Sequence, residues 1–372
     1  MKKITIILKP TFECNFRCQY CYHAETDYRK GRMDLSLLEE MLDKTFSYYN
    51  QVEIIFHGGE PLMMGYEFIS KAIDLINKKK TPDSWLRIGL QTNGYFLDEK
   101  FCELFTKNNI QMSVSIDGIG DMNCLREKTD YIFDKLDSLR EKGYTFNLLG
   151  VLHTQNIDRY SEFYEYAKSR DYHLKMNPIF KSGAAKDNPA YLLDADSYIK
   201  MLREFYPKWL DDSAPIRHVD PFYNLTAMAI QNKGHECGQC GCLTKWICVD
   251  FDGTLYPCGR SYTEDYCLGN IKDIDCLKDA FNHPNFRRLL EQSIARRMDC
   301  QNKCEFYNSC QGGCNNDCLL SGDVSKVNEF DCAVFKEMIP FIRKTIEERI
   351  KNKVAIMNPD VKELLSRRKR HG

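Results

Sequence analysis

Several features that would assign the chain to a familiar class of protein are missing from its 372 residues. No run approaches the roughly 18 apolar residues of a membrane-spanning helix, and the N-terminal apolar run ends at Lys9-Pro10 without a small-residue cleavage site. The formal net charge of −1 leaves no overall field that would attract nucleic acid or a membrane surface. Internal repeats and low-complexity tracts are also absent. These absences predict a cytoplasmic globular protein that binds neither nucleic acid nor membrane.

Cysteine, in contrast, is abundant. The chain has 18 cysteines, and thirteen of them fall between residues 237 and 332. Disulfides would explain this number in a small secreted protein, but this chain is long enough to bury a core and shows no secretion signal. In a reducing compartment, clustered cysteines more often bind metal. The composition therefore predicts a metal-binding protein.

The first half of the chain alternates strand-like and helix-like segments. Six apolar strand-like runs, from KITIIL to LKMNPIF, are separated by five amphipathic helical stretches. This alternation is typical of βαβ units around a parallel sheet, and six units are fewer than the eight of a closed barrel. We therefore predict an α/β fold with a partial (β/α)6 barrel. The expected divisions are the barrel at 1–180, a bridging segment at 181–236, a small cysteine-rich domain at 237–335, and a C-terminal helix with a basic tail at 336–372.

Three cysteines, Cys14, Cys18 and Cys21, follow the first strand in the stretch CNFRCQYC. The carboxyl ends of parallel strands are where folds of this kind place their chemistry. Three thiolates can hold a [4Fe–4S] cluster and leave one iron without a protein ligand. A zinc ion with a distant fourth ligand is the alternative.

The C-x3-C-x2-C spacing, with Tyr20 before the last cysteine, resembles the signature of radical S-adenosylmethionine (SAM) enzymes. The resemblance implies that SAM chelates the open iron. It further implies that an electron from the cluster cleaves SAM to methionine and a 5′-deoxyadenosyl radical, which abstracts hydrogen from a substrate. An electron donor such as flavodoxin or ferredoxin would then be a partner.

Three further strand ends carry glycine-rich or polar segments: GGEP, QTNG and SIDG. Each one alone is also typical of an ordinary turn. Consecutive glycines allow close backbone approach to a ligand, and the resemblance implies that GGEP binds the SAM amino group and SIDG the ribose and methionine. Arg126 is a plausible partner for the SAM carboxylate, because guanidinium binds carboxylate bidentately. The predicted SAM-binding residues are Tyr20, Gly58, Gly59, Glu60, Pro61, Gln91, Asn93, Ser115, Asp117 and Arg126.

The cysteine-rich half resembles a SPASM domain, an extension of radical SAM enzymes that carries two auxiliary [4Fe–4S] clusters. One departure from the family pattern is a C-x3-C where C-x2-C is usual, and we expect the loop to bulge there. The resemblance implies that the nearer cluster is held by Cys237, Cys258 and Cys314, with Cys242 or Cys240 as fourth ligand, or with one iron left open. It implies that the outer cluster is held by Cys300, Cys304, Cys310 and Cys332. The predicted cofactors are therefore three [4Fe–4S] clusters and SAM.

Enzymes of this layout usually modify peptides, which leaves two kinds of reaction open. One is the maturation of a ribosomally made precursor peptide by a thioether link, a carbon–carbon link or epimerisation. The other is anaerobic sulfatase maturation, in which a cysteine or serine is oxidised to formylglycine. In the maturases an aspartate base follows the G-x4-C cysteine, and here that position is Gly259, which cannot take a substrate proton. We therefore predict an oxidoreductase that cross-links a precursor peptide, with sulfatase maturation as the alternative.

Fewer signals identify a catalytic base or further partners. Asp220, in the stretch IRHVDPFYNL, is a candidate base near the barrel mouth, and His218, Arg260 and Tyr262 are weaker candidates. A solvated loop aspartate is the simpler interpretation of Asp220. Because the sequence starts at the first strand, we expect a separate protein, or the barrel and auxiliary domain themselves, to recognise a peptide leader. A non-catalytic iron–sulfur or zinc protein remains a third possibility, against which the GGEP and SIDG segments argue.

Overall fold

The computed structural model describes residues 2–23, 30–239, 241–260 and 263–371, with side chains described as far as residue 367. An eight-stranded sheet runs through the described residues in the order β6-β5-β4-β3-β2-β1-β7-β8. Strands β6 and β8 form its two edges, so the sheet is open, as the number of βα units predicted. The strands are β1 (Lys3–Lys9), β2 (Gln51–Phe56), β3 (Trp85–Thr92), β4 (Gln111–Ser115), β5 (Asn147–Leu152), β6 (His173–Pro178), β7 (Trp246–Asp250) and β8 (Leu255–Tyr256).

The first six strands are parallel and are connected by helices, which confirms the predicted α/β class. Strand β1 is buried along almost its whole length, as expected for a central strand that is covered on both faces. The side chains of Asp34 and Asp98 accept hydrogen bonds from the first turns of α1 and α3 and so cap these helices. The connecting helices are α1 (Leu35–Phe46), α2 (Tyr66–Lys79), α3 (Glu99–Lys107), α4 (Thr129–Glu141) and α5 (Tyr160–Ser169).

Two of the eight strands come from the cysteine-rich half of the chain. Strand β7 pairs in parallel with β1, and β8 pairs antiparallel with β7. The cysteine-rich half therefore extends the barrel sheet. The alternation of strands and helices could not indicate β7, because β7 and β8 form a hairpin and no helix connects them.

The remaining helices place the auxiliary cysteines. The cysteine-rich half contains α8, a helix of 20 residues that the sequence analysis did not identify. Pro284 at its first position and the side chain of His283 as its cap start this helix. Among the described residues, every helix is too short or too polar to cross a lipid bilayer. These helices are α6 (Ala195–Asp211), α7 (Phe222–Gln231), α8 (Pro284–Lys303), α9 (Tyr307–Cys310), α10 (Asn315–Leu320), α11 (Glu329–Lys351) and α12 (Pro359–His371).

Candidate active site

A cavity of about 840 Å³ lies at the carboxyl ends of the barrel strands. Its volume is within the range of sites that enclose drug-sized ligands. Cys14, Cys18 and Cys21 form part of its wall, and Cys237 and Cys314 form another part. The cavity therefore brings together cysteines from the two halves of the chain.

Most of the predicted SAM-binding residues line this cavity. Glu60, Pro61 and Asp117 are the exceptions, and all three are buried behind its wall. The residues in the wall are Tyr20, Gly58, Gly59, Gln91, Asn93, Ser115 and Arg126. The structure thus separates the predicted set into seven residues that can touch a ligand and three that support them.

The buried Glu60 carboxylate connects the ends of β2 and β3. It accepts hydrogen bonds from the Asn93 amide at 2.7 Å, the Thr92 hydroxyl at 2.7 Å and the Leu62 amide at 3.0 Å. Burial raises its pKa to about 7, although all three donors lower it. The Asn93 side chain in turn points at the first cysteine, with Nδ2 3.8 Å from Cys14 Sγ. Glu60 therefore positions Asn93 beside Cys14.

Gly58 and Gly59 hold the cysteine loop against the end of β2. A β-carbon at Gly58 would lie 2.4 Å from the Thr11 carbonyl oxygen, and one at Gly59 would lie 2.3 Å from the Glu13 carbonyl oxygen. The Gly59 amide donates to the Thr11 carbonyl at 3.0 Å. Only glycine permits so close an approach of two backbones, so this pair fixes the direction in which the cysteine loop leaves β1.

Asp117 holds Tyr20 and Arg126 in one buried chain of hydrogen bonds. The Tyr20 hydroxyl donates to Asp117 Oδ2 at 2.5 Å and accepts from Arg126 Nη1 at 2.7 Å. The Val151 amide donates to the other Asp117 oxygen at 2.9 Å. Burial raises the pKa of Tyr20, so its hydroxyl keeps its proton. The guanidinium of Arg126 is thereby fixed in the cavity wall, ready to meet a carboxylate.

Among the described residues, the cysteine sulfurs are not arranged as the ligands of a single zinc ion. Four thiolates around one zinc lie roughly 3.8 Å apart, given a tetrahedral Zn–S distance of about 2.3 Å. Among the described residues, no three cysteine sulfurs lie within 4.8 Å of one another. Burial raises the pKa of the Cys14, Cys18 and Cys21 thiols, so a cluster that binds them has to displace their protons.

The structure brings the predicted auxiliary ligands together in two groups, and their role as cluster ligands stays a prediction. In the nearer group, burial raises the pKa values of Cys237, Cys242 and Cys314, and the neighbouring charge of Cys258 raises them further. Cys240 and Tyr262 lie outside the described residues. Cys242 is therefore the described residue that can complete the nearer set.

The outer group is formed in the same way by four other cysteines. Burial is the largest cause of the raised pKa values of Cys300, Cys310 and Cys332, and the charge of Cys304 adds to it in each case. The C-x3-C spacing does not produce the expected bulge. Cys300 lies in the last turn of α8 and the Cys304 amide donates to its carbonyl at 2.9 Å, so the two side chains lie one helical turn apart.

Asp220 lies in the cavity wall beside a second carboxylate. Lys175 Nζ is 2.6 Å from Glu236 Oε1 and 3.5 Å from Asp220 Oδ2. Burial is the main cause of a raised Asp220 pKa; Lys175 opposes it and Glu236 adds to it. A carboxylate with a raised pKa is suited to accept a proton near neutral pH. Asp220 is therefore a candidate base whose geometry is more specific than that of a solvated loop residue.

The other candidates for a catalytic base, Arg260 and His218, have different surroundings. Arg260 lines the cavity and pairs with Asp317 at 2.8 Å. His218 is exposed, and its amide donates to Asp360 at 2.7 Å. Its side chain is not part of the described cavity wall.

Sequence reasoning missed five charged residues of the cavity wall: Lys175, Lys181, Glu236, Asp317 and Asp331. Lys175 lies in the middle of β6, so a search of the strand ends alone would not have found it. Glu236 directly precedes a predicted cysteine ligand. The two aspartates come from α10 and α11 and gave no local signal, because only the packing of these helices brings them to the cavity.

Comparison with known families agrees with this geometry. Residues 8–167 match the radical SAM superfamily, and residues 240–315 match the SPASM iron–sulfur cluster-binding domain. The chain is therefore a radical SAM enzyme with a SPASM domain. Its cofactors are therefore [4Fe–4S] clusters and SAM.

Several sulfatase-maturating enzymes are similar over most of the chain. The cysteine-type anaerobic sulfatase-maturating enzyme of Clostridium perfringens is 27% identical over 366 residues, which cover 92% of this chain and 96% of the relative. The serine-type enzyme of Bacteroides thetaiotaomicron is 25% identical over 356 residues, covering 84% and 83%.

Two solved structures share the fold. Native anSMEcpe with bound AdoMet and Cp18Cys peptide has a TM-score of 0.80 at 23% identity and covers 94% of this chain and 99% of its own. Streptococcus suis SuiB bound to precursor peptide SuiA has a TM-score of 0.64 at 14% identity and covers 88% and 75%. At these identities the likeness is one of fold.

Proposed function

We propose that this enzyme oxidises a side chain of a polypeptide substrate. The observation that carries the proposal is the shared cavity, whose wall contains the SAM-site cysteines together with Cys237 and Cys314. A side chain held in this cavity is close both to the group that abstracts hydrogen and to an electron acceptor. The peptides bound in two similar structures support a peptide substrate over a small molecule.

Oxidation of a cysteine or serine residue to formylglycine is the reaction we propose first. The sulfatase-maturating relatives cover most of the chain, whereas the SuiB likeness is more distant. This order reverses the preference that the sequence motifs suggested. The reaction removes one hydrogen atom from the β-carbon, one proton from the sulfur or oxygen, and one electron. A serine gives the aldehyde directly, while a cysteine gives a thioaldehyde that water converts to the aldehyde with release of hydrogen sulfide.

The one-electron chemistry is supplied by the [4Fe–4S] clusters and SAM. The chain itself has to supply a proton acceptor, and we propose Asp220. Lys175 and Glu236 hold its carboxylate in the cavity wall, and burial keeps its pKa raised. Position 259 does not offer a base, since a glycine stands there and a β-carbon on it would already lie 3.1 Å from Ile7 Cγ2.

The absence of an aspartate at position 259 supports a second candidate function, oxidative cross-linking of a precursor peptide. A cross-link also removes two hydrogens, one as an atom and one as a proton with an electron, and joins the two atoms that lost them. The maturase base is missing at Gly259, so this chain departs from the sulfatase maturases at a residue that contacts substrate in the family pattern. Under this candidate a separate leader-recognition protein is a further proposed partner.

The SAM site is assigned within the same proposal. The seven wall residues, from Tyr20 to Arg126, are proposed to contact SAM, and Glu60, Pro61 and Asp117 to hold them in place. Flavodoxin or ferredoxin is the proposed electron donor, and the cytoplasm is the proposed location. We also retain the proposed division into residues 1–180, 181–236, 237–335 and 336–372.

The test is an anaerobic reaction of the reconstituted enzyme with SAM, a reductant and two peptides. One peptide carries the modified cysteine of a sulfatase, and the other is a precursor peptide encoded beside the gene. Products are treated with a hydrazide, which traps aldehydes, and are then weighed and fragmented. A hydrazide adduct on the sulfatase peptide supports formylglycine formation. Loss of two hydrogens without an adduct, in a peptide that resists fragmentation, supports a cross-link. Unchanged peptides despite SAM cleavage contradict both candidates.

A further inference from the structure

Two arginines lie near the cysteines of the nearer auxiliary group, and they differ in their hydrogen-bond partners. Arg260 Nη2 donates to Cys314 Sγ at 3.3 Å, while its Nη1 pairs with the Asp317 carboxylate at 2.8 Å. Arg297, in α8, lies near enough to Cys242 for its charge to lower the pKa of that thiol against the larger, raising effect of burial. A guanidinium therefore lies near two of the four cysteines of the nearer group.

The side chain of Arg297 also packs against the loop that joins the two auxiliary groups. A β-carbon on Gly312 would lie 3.2 Å from Arg297 Cγ, and Gly312 lies between Cys310 of the outer group and Cys314 of the nearer group. The aliphatic part of Arg297 is thus packed against the loop between the groups.

Two of the three nitrogen atoms of the Arg297 guanidinium have no hydrogen-bond partner in the described part of the protein. Its Nε and Nη2 are buried and have no hydrogen-bond partner among the described residues. A buried charged donor without an acceptor is costly, and such atoms in a native protein indicate a ligand, ion or water that completes them. The acceptors that a [4Fe–4S] cluster would bring to this position are thiolate and sulfide sulfurs.

The neighbouring arginine shows the opposite arrangement. Arg296 is buried and donates to the Gly312 carbonyl at 2.8 Å, to Asn315 Oδ1 at 2.6 Å and to the Val324 carbonyl. All of these acceptors belong to the protein, so Arg296 fixes loops. Two adjacent arginines of α8 thus differ in that one is satisfied by the protein and the other has two donors left over.

We propose that Arg297 donates hydrogen bonds to the sulfur atoms of the nearer auxiliary cluster and thereby raises its reduction potential. Reduction adds negative charge to the cluster, and N–H donors and a positive charge beside the sulfurs stabilise that state. A higher potential makes this cluster the better acceptor of the electron removed from the substrate. That electron-accepting role rests on the proposed function, whereas the effect on the potential does not.

The test compares three variants of the holoenzyme without peptide. Arg297→Gln removes the charge and most donors, and Arg297→Lys keeps the charge but loses the planar set of donors. Arg288→Gln is the matched control, because Arg288 lies on the same helix and donates to the exposed Asp265 at 3.2 Å. Reduction potentials are measured by redox titration followed by electron paramagnetic resonance. The signals are assigned with Cys242→Ala and Cys332→Ala, which each remove a ligand of one cluster.

We expect Arg297→Gln to shift the nearer cluster to a more negative potential while the outer cluster changes less. Arg297→Lys should give a smaller shift in the same direction, and Arg288→Gln should give none. An unchanged potential in Arg297→Gln, or an equal shift of both clusters, overturns the proposal. Loss of iron in both Arg297 variants also overturns it, since Arg297 would then be a structural residue. Because no peptide is present, failure of the proposed reaction leaves these outcomes interpretable.

Discussion

The SAM-site cysteines and the auxiliary cysteines are held by different kinds of structure. Cys14, Cys18 and Cys21 lie in one short loop, and the buried Glu60 and Asp117 fix the strand ends around it. The predicted auxiliary cysteines span residues 237–332. Those of the outer group lie at the ends of α8, α9 and α11, and those of the nearer group lie in loops around β7 and β8 and at the start of α10. A site on strand ends can be recognised from local sequence, whereas a site between helices depends on packing.

The charges around the two regions differ as well. At the SAM site, the guanidinium of Arg126 is held by Tyr20 and lies 3.9 Å from the buried Asp117 carboxylate. At the nearer auxiliary group, Arg297 has two buried donors without protein partners. We propose that the first arginine binds the carboxylate of SAM and that the second donates to cluster sulfur.

Removal of Cys14, Cys18 and Cys21 should give the largest effect, and it tests whether the two cysteine regions form independently. In a Cys14→Ala, Cys18→Ala, Cys21→Ala variant we expect no SAM cleavage, because the thiolates that hold the first cluster are gone. The auxiliary iron should remain, since other residues hold it. Iron content and 5′-deoxyadenosine yield are the measurements. Loss of all iron would show that the two regions do not form independently.

Substitution of the proposed base should separate hydrogen abstraction from product formation. In Asp220→Asn we expect peptide oxidation to fall by about 10²–10⁴-fold, the usual contribution of a positioned base, while SAM cleavage continues. The ratio of 5′-deoxyadenosine to modified peptide measures this uncoupling. Asp211→Asn is the control, because Asp211 is an exposed carboxylate that pairs with Arg349. Equal loss of both products in Asp220→Asn would argue for a role in folding or binding.

The role of Glu60 in supporting the proposed SAM site can be tested by measuring the stability of the protein. In Glu60→Gln one carboxylate oxygen becomes an NH2 group that faces backbone or hydroxyl donors, so we expect the free energy of unfolding to fall by about 1–3 kcal/mol. Chemical denaturation measures the change. Glu67→Gln on the surface of α2, where Glu67 pairs only with Lys71, should change nothing measurable. Equal stability of the two variants would contradict the bridging role of Glu60.

The last expected effect concerns pH. Burial, with Lys9 as a further cause, lowers the pKa of His57 to about 4, and neutral His57 Nδ1 accepts a hydrogen bond from the Gly58 amide at 2.7 Å. Between about pH 6.5 and 4 the unfolded chain binds the proton first, so stability should fall as the pH drops through this window. In His57→Gln this part of the pH dependence should disappear. Thermal unfolding of both proteins at several pH values is the measurement, and parallel curves would exclude His57 as the source.

Sequence reasoning was most successful where function depends on neighbouring residues. The six parallel strands, the open barrel and the cavity position of Cys14, Gly58 and Ser115 all followed from periodicity, spacing and family resemblance. The two auxiliary sets were also grouped as the resemblance implied, although α8 itself was missed. Its last turn, not a bulge, accommodates the extra residue between Cys300 and Cys304.

The remaining features could not be predicted because they depend on contacts between distant segments. Lys175 comes from β6, and it meets Glu236 only when the chain before the SPASM domain folds back over the barrel. The supporting position of Glu60 behind the wall, rather than in it, depends on donors from β3. Arg297 carries no motif, and only its unpartnered donors distinguish it from Arg296.

The central claim is that a peptide side chain is oxidised in the cavity shared by the two cysteine regions. The most direct measurement uses a cysteine-containing peptide whose cysteine β-carbon carries deuterium, with unlabelled SAM and anaerobic enzyme. We expect deuterium in the 5′-deoxyadenosine in proportion to modified peptide, because the abstracted atom leaves that carbon. Modified peptide together with unlabelled 5′-deoxyadenosine would place the abstraction at another atom. SAM cleavage without label or modification would contradict the account.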